Sequence, residues 1–376
     1  MTDSIRPQPF AFPDAALADL RERLARTRWP DAETVPDWSQ GVKLDRLRAL
    51  MEYWRNGYDW RAGEARLNAL NPSTTTIDGL DIHFLHRPSP EPDALPLVLT
   101  HGWSSSVVEY LAVAPLLADP RAHGGDPADA FHVVLPTLPN FGLSSATADW
   151  SPERVARLWV ELMRRLGYER FVAQGGDWGY AVTNALGGIG APAVRGVHFS
   201  MFPIFEGMQP QDAQEEKALR RLRHFAEHEN GYQLQQIQSP QTIGYALADS
   251  PVGQAAWLYE LIEKYTDGDA EELIGRDALL DTISLYWLSN TAASSARIYW
   301  QSMRRFREHE IAVPVGYSQF PRDIHETSRR WVQERYPTLA YYNEVPKGGH
   351  YPAWEVPQLF AGELRACFRK LRAGPA

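Results

Sequence analysis

The strongest constraint on the fold is an alternation of short apolar strands with helical segments between residues 96 and 200. Strands are predicted at four places: 96–102 (PLVLTHG), 131–136 (FHVVLP), 170–176 (RFVAQGG) and 194–200 (VRGVHFS). The stretch from Pro152 to Leu166 between two of them has a helical pattern. Strands that are apolar throughout and separated by helices indicate a mostly parallel sheet that helices cover on both faces, which is an α/β fold.

The segments on either side of this alternation have different patterns. Residues 74–86 (TTTIDGLDIHFLH) predict a β-hairpin that turns at Asp78 and Gly79. The first 72 residues are predicted to be helical, because apolar residues recur there at helical spacing. Their two apolar stripes are Leu17, Leu20 and Leu24, and Leu44, Leu47, Met51 and Trp54. We expect both stripes to pack against the rest of the protein.

A helical, aromatic-rich region from about 205 to 305 interrupts the alternation. Strands are then predicted again at 311–320 and 341–349, followed by a C-terminal helix. A helical insert at this place is typical of a cap that covers an active site. The predicted organisation is therefore an N-terminal helical extension, a core in two parts and a cap. Their limits are 1–72 for the extension, 73–204 and 306–376 for the core, and 205–305 for the cap.

One turn in this pattern points to covalent catalysis. Residues 172–186 (VAQGGDWGYAVTNAL) have the layout of a nucleophile elbow, a sharp strand-to-helix turn that raises one side chain above the sheet. The usual pattern is G-x-S-x-G, and here Asp177 stands at the serine position. An aspartate at this place also suits a helix N-cap. A cap alone does not require the three surrounding glycines, so Asp177 is the candidate nucleophile.

The turn after the first long strand, His101-Gly102-Trp103, indicates an oxyanion hole. The backbone N–H of Trp103 is one candidate donor, and the N–H of Trp178, directly after Asp177, is the other. A glycine turn that only ends a strand is the simpler interpretation of the same residues.

A late histidine supplies a candidate base. His350, in GGHYPAWE, follows the last predicted strand and comes after the nucleophile in the chain, as this layout requires. Its imidazole needs a carboxylate that orients it and stabilises its cation. Asp323, in FPRD, follows the preceding strand and is one candidate. Glu310 and Glu344 are rivals that these patterns do not separate from it.

The chain resembles the microsomal epoxide hydrolase family of α/β hydrolases, in a soluble form without the membrane anchor. The resemblance covers nearly the whole chain and is carried by an ordered set of motifs. These are PFAFPDAALADLRERLARTRWPD near the N terminus, HGWSSS, GGDWG, DSPVGQAAWL, and FPRDI through GGHYPAWE. Two departures are small: SSS follows HGW where relatives often have Pro-Gly, and the acid is Asp where several relatives have Glu.

The resemblance implies an α/β-hydrolase fold and a role for each candidate residue. Asp177 corresponds to the nucleophile, Asp323 to the acid and His350 to the base. Tyr232, in ENGYQLQQ, and Tyr299, in SSARIYW, correspond to two cap tyrosines that assist ring opening. The implied activity is hydrolysis of an epoxide to a vicinal diol, in detoxification or in secondary metabolism, without a cofactor.

The aspartate is consistent with this chemistry. A serine that attacks the saturated carbon of an epoxide leaves an ether, whereas Asp177 leaves an ester that water can cleave. Two alternatives remain open. A haloalkane dehalogenase uses the same ester logic with halide held by N–H donors, for which Trp103 and Trp178 are suitable. A non-catalytic binding protein on the same fold is the other alternative.

Composition limits the location and the partners. The formal charge of −9 argues against nucleic acid as a partner. The single Cys367 cannot form an internal disulfide, which favours a reducing compartment. The start of the chain has no signal-peptide core and no run of eighteen apolar residues occurs, so we expect a cytoplasmic protein without a membrane partner.

The expected partner is a small-molecule epoxide, and the Trp and Tyr residues of the cap favour a bulky apolar or aromatic one. No metal-ligand cluster or phosphate-binding glycine loop is evident in the sequence, so neither a cofactor nor a metal is expected. A homodimer is compatible with this interpretation.

Overall fold

The computed structural model describes residues 4–205 and 207–372, and the predicted domain limits at residues 1 and 376 lie outside them. Within the described residues, nine strands form one sheet. The strands are β1 Arg6–Pro7, β2 Ser73–Ile77, β3 Leu80–Arg87, β4 Leu95–Thr100, β5 Phe131–Pro136, β6 Phe171–Gly175, β7 Val194–Phe199, β8 Val315–Gln319 and β9 Leu339–Glu344. Their order across the sheet is β1-β2-β3-β5-β4-β6-β7-β8-β9.

The sheet is antiparallel at one end and parallel over the rest. Strands β1, β2, β3 and β5 pair antiparallel, and the five pairings from β5 and β4 through to β9 are parallel. The predicted hairpin is β2–β3, and Asp78 and Gly79 have φ values of 50° and 75°. Two positive φ values suit a tight hairpin turn that follows the twist of the strands.

Strand β1 is a correction to the prediction that the first 72 residues are helical. Arg6 and Pro7 pair with Thr74 and Ser73 of β2. A strand of two residues has no period that a sequence pattern can reveal, so this element depends on the neighbouring edge of the sheet.

Fifteen α-helices surround the sheet in the described residues. They are α1 Asp14–Ala25, α2 Leu44–Asn56, α3 Trp60–Asn68, α4 Val113–Ala118, α5 Pro152–Arg165, α6 Asp177–Gly188, α7 Ala213–His228, α8 Gly231–Gln238, α9 Pro240–Asp249, α10 Pro251–Tyr265, α11 Arg276–Leu288, α12 Ala292–Ser302, α13 Arg329–Arg335, α14 Pro352–Glu355 and α15 Pro357–Arg372. Short 3₁₀ helices occur at Val107–Tyr110, Arg121–His123, Pro127–Asp129 and Met303–Arg305, and a π-helical turn at Glu271–Gly275.

The N-terminal helices pack through the two predicted apolar stripes. Leu17, Leu20 and Leu24 of α1 are buried, as are Leu47 and Met51 of α2. This burial agrees with the expectation that both stripes pack against the rest of the protein.

Polar contacts tie the same region to the helical insert. Trp54 Nε1 donates a hydrogen bond to Ser284 Oγ of α11 at 2.9 Å. The buried carboxylate of Asp281, also on α11, accepts from Tyr58 at 2.8 Å and from Arg66 at 2.7 Å. The N-terminal helices therefore hold the insert in a defined position.

The helices α7 to α12 lie between β7 and β8, which is the place of the predicted helical insert. Because β4, β6, β8 and β9 are parallel, their carboxyl ends lie at one edge of the sheet. The segments that follow these four strands contain Trp103, Asp177, Asp323 and His350, so the topology brings these four residues together.

Among the described helices, none combines the length and the apolar character that crossing a membrane requires.

Candidate active site

The candidate nucleophile is at a tight turn between β6 and α6. Asp177 is the first residue of α6 and has a φ of 50°, a left-handed conformation that non-glycine residues seldom adopt. Its carboxylate does not cap the helix, because the cap position is Gly176. Instead, Oδ1 accepts a hydrogen bond from the backbone N–H of Trp103 at 2.7 Å.

The glycines around this turn are required by close approach of the backbone. A Cβ atom on Gly179 would collide with the carbonyl oxygen of Thr100 at the end of β4. One on Gly102 would collide with the Asp177 carboxylate itself. The carboxylate can therefore reach the Trp103 N–H only because these positions have no side chain.

The segments after β8 and β9 bring an acid and a base to the same carboxylate. His350 Nδ1 lies 2.6 Å from Asp323 Oδ1, and His350 Nε2 lies 3.5 Å from Asp177 Oδ2. The side chains of His350 and Asp323 are 2% and 1% exposed. Asp323 Oδ1 also accepts from the Ile324 N–H at 2.7 Å, which fixes its orientation.

The two rival acids lie elsewhere. Glu310 and Glu344 are exposed, and Glu344 accepts a hydrogen bond from the Tyr342 hydroxyl at 3.1 Å. The structure therefore brings His350 to Asp323 and not to either glutamate.

The charge state of His350 depends on both aspartates. Burial by itself lowers the pKa of this imidazole, but hydrogen bonds to Asp177 and Asp323 and their negative charges raise the pKa to about 10. With both carboxylates ionised, His350 is therefore a cation at neutral pH. Loss of the Asp177 charge removes one source of this stabilisation and lowers the pKa.

Two tyrosines from the helical insert pack against the tryptophans that flank the carboxylate. Tyr232 of α8 stacks on Trp103, with ring centroids 5.5 Å apart and planes within 8°. Tyr299 of α12 meets Trp103 and Trp178 edge-on at 5.8 Å and 4.9 Å. Burial first, and then the charge of Asp177, raise the pKa of both phenols, so both keep their protons and can donate them.

A cavity of about 320 Å³ lies between the insert and the sheet. Asp177, Trp178, Tyr232 and Tyr299 are part of its lining. Most of the remaining lining is apolar and includes Met201, Ile204, Phe225, Met303 and Phe306. Asp177 thus faces an apolar space with two phenols.

The structure also identifies a lining residue that sequence reasoning missed. His325 lines this cavity, and burial lowers its pKa to about 4, so its imidazole is neutral there. It stands two positions after Asp323 in FPRDIHE. A histidine so close to the candidate acid was the signal in the sequence that could have placed it at the site.

The second predicted oxyanion donor is the backbone N–H of Trp178. In the described part of the chain, no hydrogen bond joins the Trp178 N–H to the Asp177 carboxylate, whereas the Trp103 N–H is engaged. The role of Trp178 therefore stays a prediction about the transition state, in which such contacts tighten.

A second, much smaller cavity of about 10 Å³ also touches Asp177. His350, Ser200, Tyr351 and Glu109 belong to its lining. Sequence reasoning missed Glu109, although a glutamate inside the apolar segment VVEY was a signal for a buried carboxyl group.

Within the described residues, no group of three or more His, Cys, Asp or Glu side chains is arranged to hold a metal ion.

A family model, two curated relatives and one solved structure carry the same family name. The sequence model for the epoxide hydrolase N terminus matches residues 5–110. A protein of Stigmatella aurantiaca (strain DW4/3-1) that carries the provisional name of epoxide hydrolase is 51% identical over 377 residues, which cover 98% of this chain and 86% of that protein. Epoxide hydrolase 1 of Sus scrofa is 32% identical over 400 residues, which cover 96% of this chain and 88% of that protein. The solved structure of Aspergillus niger epoxide hydrolase matches with a TM-score of 0.89 and 29% identity, over 98% of this chain and 97% of that one.

Proposed function

The chain belongs to the epoxide hydrolase family, and we propose that it opens a bulky apolar or aromatic epoxide through an ester on Asp177. One observation carries this proposal. The Asp177 carboxylate lies between the Asp323–His350 pair and an apolar cavity with two protonated phenols.

The first step is alkylation of the enzyme. Oδ1 of Asp177 is held by the Trp103 N–H, which leaves Oδ2 as the attacking oxygen. Oδ2 forms a bond to a ring carbon, and the bond from that carbon to the epoxide oxygen breaks. The leaving alkoxide takes a proton from Tyr232 or Tyr299, which leaves one tyrosine ionised.

The second step is hydrolysis of the ester. Alkylation removes the charge of Asp177, so the pKa of His350 falls, and the proton that it releases restores the ionised tyrosine. Neutral His350 then takes a proton from water, whose oxygen adds to Cγ of Asp177.

The negative charge of this intermediate forms on Oδ1, which faces the Trp103 N–H, and Trp178 is the second proposed donor. When the intermediate collapses, the bond between Cγ and the former Oδ2 breaks, and that oxygen takes the proton of the new hydroxyl group on Cγ. The diol leaves with the former Oδ2, and Asp177 is again a carboxylate. His350 keeps the proton from water, so the free enzyme is restored.

Isotope labelling tests this sequence of steps. Excess enzyme is mixed with styrene oxide in H₂¹⁸O and stopped within one turnover. The ester route predicts an unlabelled diol and one ¹⁸O atom in the peptide that contains Asp177, because water attacks the carboxyl carbon. If the first-turnover diol carries ¹⁸O, water attacks the epoxide directly and the proposal is wrong.

The same residues distinguish the two alternatives. A dehalogenase needs N–H donors that hold the leaving halide. The lining of this cavity contains Trp178 and also two phenols, which suit the protonation of an alkoxide. We therefore expect no bromide release from 1-bromobutane. Turnover of any member of an apolar epoxide panel excludes the non-catalytic binding protein.

The helical insert is the proposed cap. We assign residues 205–305 to this cap, 73–204 and 306–376 to the core, and 1–72 to the extension that packs on both. The assignment is supported by Tyr232 and Tyr299, which come from α8 and α12 of the insert. A cytoplasmic location is supported by the single, buried Cys367.

A further inference from the structure

His325 lies in the wall of the large cavity, and the ester mechanism gives it no role. Its side chain lines the cavity together with Asp177, Tyr232 and Tyr299. The residue is partly accessible, but its Nδ1 atom is buried and has no hydrogen-bond partner among the described residues. In that part of the chain no hydrogen bond reaches Nε2 either. An apolar side chain would line the cavity without the cost of unpaired polar atoms, so the imidazole points to a ligand.

The imidazole of His325 is held in a fixed position. Phe225 of α7 meets it edge-on, with ring centroids 5.8 Å apart and planes at 62°. The backbone two residues later is held by the Thr327 N–H, which donates to Gln319 Oε1 at 3.2 Å. The backbone before it is held by the contact to Asp323 Oδ1. A ring fixed in this way can bind a ligand without a large loss of its own conformational freedom.

The charges around His325 leave its ring uncharged. Burial lowers its pKa to about 4; the negative Asp323 and Asp177 oppose this effect, whereas the positive His350 and Arg221 add to it. A neutral imidazole has one N–H donor and one acceptor nitrogen. Because charges of both signs act on this place, it favours neither a carboxylate nor an ammonium group of a ligand.

The burial of Nδ1 decides which nitrogen of His325 carries the proton. An N–H at Nδ1 would stay unpaired, at the full cost of its desolvation. At Nε2 the proton can meet an acceptor that belongs to a molecule in the cavity. The ring therefore supplies one N–H donor for a ligand.

We propose that His325 Nε2 donates a hydrogen bond to an uncharged oxygen of the substrate, remote from the epoxide ring. The epoxide oxygen itself is assigned to Tyr232 and Tyr299. The preferred substrate is then an apolar epoxide with a carbonyl or ether oxygen, and not a pure hydrocarbon epoxide. This assignment rests on the proposed ester mechanism and names the substrate class of the same cavity. His325 determines specificity and takes no part in either covalent step.

Matched pairs of substrates test this hydrogen bond. Each pair consists of a 1,2-epoxyalkane and its analogue of the same chain length with a ketone oxygen on the penultimate carbon, and several chain lengths are compared. The measured quantity is kcat/KM for the ketone divided by kcat/KM for the hydrocarbon. In His325→Phe, which keeps a ring beside Phe225, we expect this ratio to fall about tenfold at the best chain length. One buried hydrogen bond is typically worth about that factor.

Met303→Leu is the matched control. Met303 lines the same cavity, and leucine has a similar volume and adds no polar group. The ratio should therefore stay at the wild-type value. An equal fall of the ratio in Met303→Leu overturns the proposal, because the shape of the cavity then sets the preference.

Two further results contradict the assignment. An unchanged ratio in His325→Phe at every chain length means that the substrate oxygen does not bond to this residue. An equal loss of kcat/KM for both members of each pair means that the substitution acts through Asp323, two residues away. If His325→Phe does not fold, His325→Leu gives the same test. If the wild-type protein hydrolyses none of these epoxides, the proposed function fails as well, whereas turnover with an unchanged ratio refutes only the role of His325.

Discussion

The two cavities that meet at Asp177 differ in size and in chemistry. The larger, about 320 Å³, is mainly apolar and is flanked by the phenols of the helical insert. The smaller, about 10 Å³, is lined by the ionisable His350 and Glu109 and by hydroxyl groups. The large cavity suits an apolar epoxide, and the small one suits a single water molecule.

In the proposed mechanism, one carboxylate therefore takes part in two reactions in two different environments. Alkylation needs apolar space and a proton donor, whereas ester hydrolysis needs a base and an ordered water. Because different residues line the two cavities, single substitutions should separate the two steps.

The largest effect is expected at the shared residue. Asp177→Ala should abolish both steps, with a loss of about 10⁶-fold in diol formation, as for removal of other catalytic nucleophiles. Intact-mass spectrometry should find no enzyme adduct with styrene oxide. A covalent adduct in this variant means that another residue is the nucleophile.

His350→Gln should affect ester hydrolysis alone, which is the step assigned to the small cavity. The variant should form the ester but release almost no diol, because no base remains for the water. The loss in steady-state turnover is expected to approach that of Asp177→Ala. Mass spectrometry should find the mass of the substrate added to the peptide that contains Asp177. Steady turnover at the wild-type rate would contradict the role of His350 as the base.

Asp323→Asn should slow the same hydrolysis step by about 10⁴-fold, since the imidazolium loses its counter-charge and its orientation. Glu344→Gln is the control, because Glu344 is exposed and bonded to the Tyr342 hydroxyl. Quenched-flow measurement of ester decay distinguishes the two variants. A larger loss in the Glu344 variant contradicts the assignment of Asp323.

The tyrosines should affect the large-cavity side alone. Tyr232→Phe and Tyr299→Phe should each slow alkylation, and the double variant should lose about 10²–10⁴-fold, because no phenol remains to protonate the alkoxide. Ester hydrolysis should stay near the wild-type rate. Alkylation by the double variant at the wild-type rate means that the two tyrosines serve packing alone.

The smallest effect concerns the electrostatic link between the cavities. The pKa of His350 is raised to about 10 in part by Asp177, so Asp177→Asn should shift it downwards, towards the ordinary value of histidine near 6.5. NMR titration of ring-labelled histidine measures this shift. An unchanged pKa contradicts the view that ester formation converts His350 from a cation into a base.

Patterns with a long period or a fixed order were predictable from the sequence. The strands, the hairpin at Asp78 and Gly79, and the place of the helical insert follow from periodicity, and the predicted α/β-hydrolase fold is confirmed by the likeness to Aspergillus niger epoxide hydrolase. The two-residue strand at Arg6 and Pro7 was not predictable, because it exists only by pairing with β2.

Within the site, the sequence determined the kinds of group and their order along the chain. A glycine-flanked aspartate after a strand predicts a reactive carboxylate, because only that backbone lets it stand above the sheet. The partner of His350 was not determined, since Asp323, Glu310 and Glu344 have the same chemistry. Distance decided it, and the 2.6 Å contact to Asp323 arises because β8 and β9 are neighbours in the sheet. Likewise, Glu109 lies beside Asp177 only because tertiary packing brings these two residues together, although they are far apart in the chain.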